Sequence, residues 1–131
     1  MKNKIDYKKL INTALKYQKN AYATYSKFFV GAGVQTKNGK IFGGCNIENA
    51  SYPCGVCAER VAMSKAISEG EKEFLAVAIT SSGADYTYPC GMCRQFLSEF
   101  GDIKVIVAKS VTDYKEHSIK DLLPSQFITM I

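Results

Sequence analysis

The chain has 131 residues, 47% of them hydrophobic, which suits one domain with a core of its own. The formal charge of +5 comes from scattered lysines without a block of like charges, so we expect a solvated face rather than a nucleic-acid surface. No apolar run reaches membrane-spanning length, and residues 1–6 do not resemble a secretory signal. These features predict a cytoplasmic protein with no nucleic-acid or membrane partner.

Residues 6–21 predict an amphipathic helix that begins at Asp6, a favourable N-cap residue. Apolar side chains recur there at three- and four-residue spacing: Tyr7, Leu10, Ile11, Ala14 and Leu15. We expect this helix to pack on a sheet.

Residues 28–35 and 40–47 predict two strands joined by a tight turn at Asn38-Gly39, so they form a hairpin. Small residues along both strands suggest close packing against another element: Gly31, Ala32, Gly33, Gly43 and Gly44. Asn46 and Glu48 follow the second strand. Because strand side chains alternate, both should face one side at the end of the sheet.

The remaining segments alternate between helical and strand patterns. In chain order they are a loop at 50–56, a helix at 57–69, a buried strand at 74–80, a loop at 81–89, a helix at 90–100, a strand at 104–108, an edge strand at 114–119 and a short turn at 120–123. Helices alternating with strands predict one α/β domain over residues 1–131. We expect a three-layer α-β-α sandwich with a mixed sheet of about five strands and parallel pairs at the later crossovers.

Cysteines dominate the chemistry of this sequence, and two of its short cysteine segments each end a loop and open a helix. A helix N-terminus stabilises a thiolate, and Cys90 and Cys93 lie one turn apart on the same side. We predict that Cys57, Cys90 and Cys93 hold one zinc ion with an open fourth position. Cys45 is interpreted as a small core residue.

Glu59 and Arg60 directly follow this site in sequence. Glu59 is predicted to carry protons to and from a bound water, although a glutamate at a helix start is also ordinary dipole complementarity. Three thiolates and Zn²⁺ sum to a charge of −1, which opposes acidification of water. Arg60, three residues after Cys57, is predicted to compensate that charge together with the helix N-termini.

A closed four-cysteine site that includes Cys54, as in a structural module that binds nucleic acid, is the alternative. The 32 residues between the two pairs exceed the ~15–20 usual in such modules, and Glu59 would then have no role. His117, the only histidine, lies in a polar segment that we expect to be exposed and non-catalytic.

Taken together, the cysteine segments resemble cytidine deaminases of the small homotetrameric type. Further matches extend the resemblance over nearly the whole chain, in the family's order: Tyr25-Ser26-Lys27-Phe28, the segment from Gly44 through Cys45-Asn46-Ile47-Glu48-Asn49-Ala50-Ser51 to Tyr52, and Leu122-Leu123-Pro124 with Phe127. Thr24 stands where the family often has proline, so we expect a looser turn there. Cys54 does not match a zinc ligand of the family.

The resemblance implies hydrolytic deamination of free cytidine and 2'-deoxycytidine to uridine and 2'-deoxyuridine, with release of ammonia, in pyrimidine salvage. One zinc per subunit would activate water, while Glu59 would protonate N3 and pass a proton to the departing amine. The resemblance also implies substrate contacts: Asn46 and Glu48 would bind the ribose, Phe28 would stack on the base, and the Ala58 backbone would bind the pyrimidine edge. Tyr52 and Phe127 would contact the substrate of a neighbouring subunit.

Glu48 favours a free nucleoside over a polynucleotide. A carboxylate beside a ribose needs a hydroxyl donor, which a phosphodiester removes while adding a like charge. A deaminase of another cytosine-containing small molecule is the remaining alternative, against which the ribose-pocket segment at 46–52 argues.

Overall fold

The computed structural model describes residues 4–129, so residues 1–3 of the N-terminal stretch lie outside the described residues. The elements follow one another in the predicted order. They are α1 (Tyr7–Gln18), β1 (Val30–Thr36), β2 (Ile41–Cys45), a 3₁₀ turn (Tyr52–Cys54), α2 (Ala58–Ser68), β3 (Phe74–Ser81), α3 (Gly91–Ser98), β4 (Lys104–Ser110), β5 (Asp113–Ser118) and α4 (Ile119–Leu122). The Asp6 side chain caps α1 by accepting from the Lys9 N–H at 3.1 Å, as predicted.

The five strands form one mixed sheet in the order β2-β1-β3-β4-β5. β1 pairs antiparallel with both β2 and β3, β3 pairs parallel with β4, and β4 pairs antiparallel with β5. The expected mixed sheet is confirmed, but it contains one parallel pair instead of several. The reason is that β1 lies between β2 and β3, so the crossover through α2 joins two strands that are not neighbours.

Helices cover both faces of the sheet, which confirms the three-layer sandwich. β3 shows the division: Ala76 and Ala78 pack towards α1, whereas Val77 and Ile79 pack into the larger core beneath α2 and α3. This alternation explains why residues 74–79 of β3 are all apolar, since a central strand covered on both faces has no solvent side. Met63 of α2 is fully buried in this larger core.

The glycines of the hairpin let helices approach the sheet closely. A Cβ atom on Gly31 would lie 1.9 Å from the Ala14 carbonyl oxygen of α1. On the other face, a Cβ on Gly44 would lie 2.6 Å from the Ala62 nitrogen and 2.8 Å from the Ala58 oxygen of α2. The predicted close packing is therefore confirmed, and it brings β2 against the first turns of α2.

The edge strand β5 differs from its prediction in one respect. His117 is half-buried instead of exposed, because Tyr88 packs against it from the loop that precedes α3. Across residues 4–129, none of the helices has the length and apolar character needed to span a membrane.

Candidate metal centre and its cavity

Three cysteine sulfurs converge where α2 and α3 begin. Cys57 is the N-cap of α2, Cys90 is the N-cap of α3, and Cys93 lies in the first turn of α3. Their Sγ atoms all lie within 4.8 Å of one another, and those of Cys57 and Cys90 are 3.8 Å apart. Two thiolates at the usual Zn–S distance of ~2.3 Å on a tetrahedral ion are also about 3.8 Å apart. The three cysteines are therefore positioned to hold a zinc ion.

Cys54 does not belong to this group. It ends the 3₁₀ turn, its side chain is exposed, and within the described part of the chain the potential metal ligands that cluster are Cys57, Cys90 and Cys93. A closed four-cysteine site is thus not favoured, and three protein ligands leave a tetrahedral ion one open position.

Charge around the sulfurs is distributed unequally. A hydrogen bond from Cys93, helped by Arg60 and Cys90 and opposed by burial, lowers the pKa of Cys57 to about 5. The same shared proton, together with burial, raises the pKa of Cys93 far above its usual range. Arg60 Nη2 lies 3.7 Å from Cys57 Sγ, and its buried Nε has no hydrogen-bond partner within the described residues. Without metal, Cys57 is thus the thiolate beside the Arg60 guanidinium while Cys93 keeps its proton, which metal binding would displace.

Glu59 points away from solvent, with 4% of its surface exposed. Burial, reinforced by the charge on Cys57, raises the pKa of its carboxyl group to about 7. A carboxyl group with such a pKa can both accept and donate a proton near neutral pH. The first turn of α2 thus places a buried, titratable carboxyl group in the same cavity as the thiols of Cys57 and Cys90.

A cavity of about 220 Å³ is lined by four segments of the chain and brings Glu59 together with two of the cysteines. It is lined by Phe28, Val30, Asn46, Cys57, Ala58, Glu59, Thr87, Tyr88 and Cys90. Phe28, Asn46, Ala58 and Glu59 were singled out from the sequence, whereas Val30, Thr87 and Tyr88 were not. The signal for the last two was their position just before Pro89-Cys90, since a loop that delivers a ligand must pass the site.

Asn46 holds one wall of this cavity in place. Its Oδ1 accepts from the Val30 N–H at 2.9 Å, and its Nδ2 donates to the Phe28 carbonyl oxygen at 2.9 Å. Both ends of the amide thus bind the backbone where β1 begins, which fixes the approach of Phe28 to the cavity.

Glu48 and Tyr52 line a second cavity of about 380 Å³, whose wall consists of Tyr25, Ser26, Glu48, Asn49, Tyr52 and Gly55. Glu48 accepts hydrogen bonds from the Tyr25 and Ser26 N–H groups at 2.9 and 3.0 Å and from the Ser26 hydroxyl. The hydrogen bonds from Ser26 lower the pKa of Glu48. The Ser26 hydroxyl oxygen also accepts from the Phe28 N–H at 3.0 Å, so an ionised Glu48 anchors the loop that presents Phe28.

Phe127 lies apart from both cavities, on the C-terminal segment. Its backbone N–H and carbonyl pair with the Gln95 side-chain amide of α3 at 3.0 and 3.1 Å, while its ring is 76% exposed. Arg94 is held away from the sulfurs, because its guanidinium donates to the carbonyl oxygens of Pro89 and Leu122.

A three-layer α/β domain with three thiolates at two helix starts and a buried glutamate beside them is the architecture of a zinc-dependent deaminase. Residues 4–109 match the family model described as the cytidine and deoxycytidylate deaminase zinc-binding region. The chain belongs to the cytidine and deoxycytidylate deaminase family.

Individual relatives agree with this assignment over nearly the whole chain. A probable cytidine deaminase of Dictyostelium discoideum is 43% identical over 126 residues, which cover 95% of this chain and 86% of that protein. The crystal structure of cytidine deaminase from Burkholderia pseudomallei is 40% identical, with a TM-score of 0.88 over 94% of this chain and all of that one. The Mycobacterium tuberculosis cytidine deaminase structure is 33% identical, with a TM-score of 0.83 over 96% of this chain and all of that one.

Proposed function

We propose that this protein is a zinc-dependent cytidine deaminase that hydrolyses free cytidine and 2'-deoxycytidine to uridine and 2'-deoxyuridine, releasing ammonia. The observation that carries the proposal is the buried Glu59 carboxyl, which shares one cavity with the thiols of Cys57 and Cys90. A structural zinc site needs no proton-transfer group, whereas hydrolytic removal of an amino group from a nucleobase does. Proteins named cytidine deaminase that are 40–43% identical to this chain support the same reaction.

In this proposal Cys57, Cys90 and Cys93 hold one zinc ion per subunit. Zinc, when bound, supplies Lewis-acid activation of water at the open position. Glu59 carries two protons in turn: its carboxylate form takes the first from water and its acid form gives it to N3 of the base, and the regenerated carboxylate then takes the remaining hydroxyl proton and gives it to the departing amine. A pKa of about 7 suits both directions, because neither protonation state is strongly preferred at neutral pH.

The substrate would occupy both cavities, with the base in the smaller one. Phe28 offers a ring for stacking and the Ala58 backbone faces the pyrimidine edge, while Asn46 and Glu48 face the ribose. Asn46 Oδ1 keeps a second lone pair for a hydroxyl beyond its bond to Val30. Glu48, held ionised by Ser26, can accept from a ribose hydroxyl, which a phosphodiester lacks. This favours a free nucleoside and no nucleic-acid partner.

We also propose that residues 1–131 form one catalytic domain and that four subunits assemble in the cytoplasm with shared pockets. Tyr52 is 79% exposed beside the larger cavity, and Phe127 is 76% exposed on the C-terminal segment. Large apolar side chains left this open are typical of interfaces. Tyr52 and Phe127 would each contact the substrate of a neighbouring subunit.

The test is a cytidine assay on purified protein with zinc counted per subunit. The parent should release ammonia with one zinc bound. Glu59→Gln should keep the zinc and lose about 10²- to 10⁴-fold in turnover. Glu69→Gln, which changes an exposed carboxylate at the other end of α2, is the matched control and should remain active. Deamination by Glu59→Gln at the parent's rate would refute the proton-transfer role.

A further inference from the structure

Tyr88 forms a wall of the smaller cavity, and it is held there by His117. The Tyr88 hydroxyl and His117 Nε2 are joined by a hydrogen bond of 3.1 Å, and the two ring centroids are 5.2 Å apart. Tyr88 lines the same cavity as Glu59 and Cys90, whereas His117 is half-buried on β5 and lines neither cavity. The contact links residues 29 positions apart in the chain.

A second tyrosine of this loop, Tyr86, packs on the same face of β5. The hydroxyl of Tyr86 donates to Asp113, and its ring lies 4.6 Å from Lys109 Nζ and 4.9 Å from Lys115 Nζ. Asp113, Lys115 and His117 alternate along the strand, so their side chains share one side. Two tyrosines two residues apart are therefore anchored in the same way, which fixes the loop just before it reaches Cys90.

We propose that His117 is a positioning residue: it holds the Tyr88 ring as a wall at the metal end of the cavity, and this wall excludes bulk on the exocyclic amine of the base. The inference rests on the proposed function, because the amine that leaves must lie beside Glu59 and the thiol ligands. Tyr88 lies two residues before Cys90 and lines that same region. The ribose extends the other way, towards Glu48, so Tyr88 meets substituents on the amine and not on the sugar.

The probe is N4-methylcytidine, whose hydrolysis breaks the same C–N bond and yields uridine and methylamine. The quantity measured is kcat/KM for N4-methylcytidine divided by kcat/KM for cytidine. The parent should discriminate against the methylated substrate. Tyr88→Phe and His117→Ala should each raise the ratio at least about threefold, the effect of losing one hydrogen bond that restrains the ring. Tyr88→Ala, which removes the wall, should raise it most.

Three further variants separate positioning from general stability. The double variant Tyr88→Phe/His117→Ala should raise the ratio no more than either single change, since both remove one interaction. His117→Gln, whose amide can still bond the phenol, should restore the parent ratio. Tyr7→Phe is the matched control: it deletes a tyrosine hydroxyl that donates to Glu116, the neighbour of His117, at 2.6 Å and far from the cavity, so the ratio should not change.

Each result decides either the proposed function or this inference. A zinc-loaded parent that is inactive on cytidine refutes the function itself. An active parent that accepts both substrates equally overturns the inference, and so do zinc-loaded Tyr88→Phe and His117→Ala proteins whose ratios match that of Tyr7→Phe. If His117→Ala loses its zinc, the conservative Tyr88→Phe variant decides alone.

Discussion

Arg60 Nη2 lies 3.7 Å from Cys57 Sγ, and Arg60 follows Cys57 by about one turn of α2. Burial acts to lower the pKa of Arg60, but the neighbouring sulfurs of Cys93 and Cys57 outweigh it and raise that pKa. Three thiolates on a dication would leave one negative charge, which the Arg60 guanidinium lies close enough to offset.

Replacement of Arg60 should therefore change reactivity more than metal content. Arg60→Gln is expected to keep one zinc and to lower turnover, because the sulfurs pass more charge to the metal and water is acidified less. In the metal-free protein the same change should raise the pKa of Cys57, since Arg60 is one of the groups that lower it. Thiolate absorbance against pH measures that shift. Arg60→Lys, which keeps the charge, should recover part of the activity; unchanged turnover in Arg60→Gln would remove the role.

The number of zinc ligands can be tested on cysteines of the two segments. Cys90→Ser is expected to weaken zinc binding by at least about 100-fold. Replacing a residue that only hydrogen-bonds a metal ligand already lowers metal affinity by about 10- to 100-fold, and Cys90 is a predicted ligand itself. Cys54→Ser should bind zinc like the parent, since that thiol is exposed and outside the sulfur cluster. Zinc affinity is measured by competition with a chelator. Equal losses in the two variants would instead support a four-cysteine site.

Burial of Glu59 makes the stability of the metal-free protein depend on pH. Its pKa in the folded protein is about 7, above the ordinary 4.5, so the acid is neutral in both states at low pH. As the pH rises from about 4.5 to about 7, the free energy of unfolding falls, because Glu59 ionises in the unfolded chain but not in the folded one. Above pH 7 the total loss is about 3 kcal/mol.

Glu59→Gln cannot ionise at this position. In the metal-free protein at about pH 8, its free energy of unfolding should therefore exceed that of the parent, and this difference should shrink by about 3 kcal/mol at about pH 4. Urea unfolding at the two pH values measures the difference. Glu48→Gln serves as a comparison of opposite sign, because hydrogen bonds from Ser26 lower the pKa of Glu48. A gain for Glu59→Gln that is the same at both pH values would contradict the raised pKa.

The absence of a side chain at Gly44 allows β2 to approach α2 closely. Gly44→Ala would place a Cβ 2.6 Å from the Ala62 nitrogen and 2.8 Å from the Ala58 oxygen, and backbone atoms cannot move aside cheaply. We expect a loss of about 1–3 kcal/mol in unfolding free energy, with weaker zinc binding because the first turn of α2 shifts.

Gly91→Ala is the matched control for stability. A Cβ at Gly91 meets no atom within 4 Å, and the residue begins α3, so the change should leave the unfolding free energy equal or raise it by roughly 0.5–1 kcal/mol. Denaturant unfolding of both variants distinguishes crowding from a general cost of replacing glycine. Equal losses at the two positions would argue against crowding at Gly44.

Local patterns in the sequence predicted the elements that depend on local physics. Three such features depend only on residues a few positions apart: the Asn38-Gly39 turn, the Asp6 cap and the apolar run that forms β3. The order of the strands does not depend on local patterns: β1 lies between β2 and β3 because it pairs with residues 38 to 51 positions away, which no local periodicity encodes. Hence several parallel pairs were expected where one exists.

The chemical groups of the site can be identified from the residue pattern: three cysteines at two predicted helix starts, a glutamate two residues after the first of them, and an arginine one turn on. The burial and protonation of these groups depend on the folded chain. It buried Glu59 and so raised its pKa to about 7, and it left Cys54 outside the sulfur cluster. It also brought His117 from the edge strand to Tyr88 at the cavity. Burial and long-range contacts depend on how elements pack, which residue spacing along the chain does not specify.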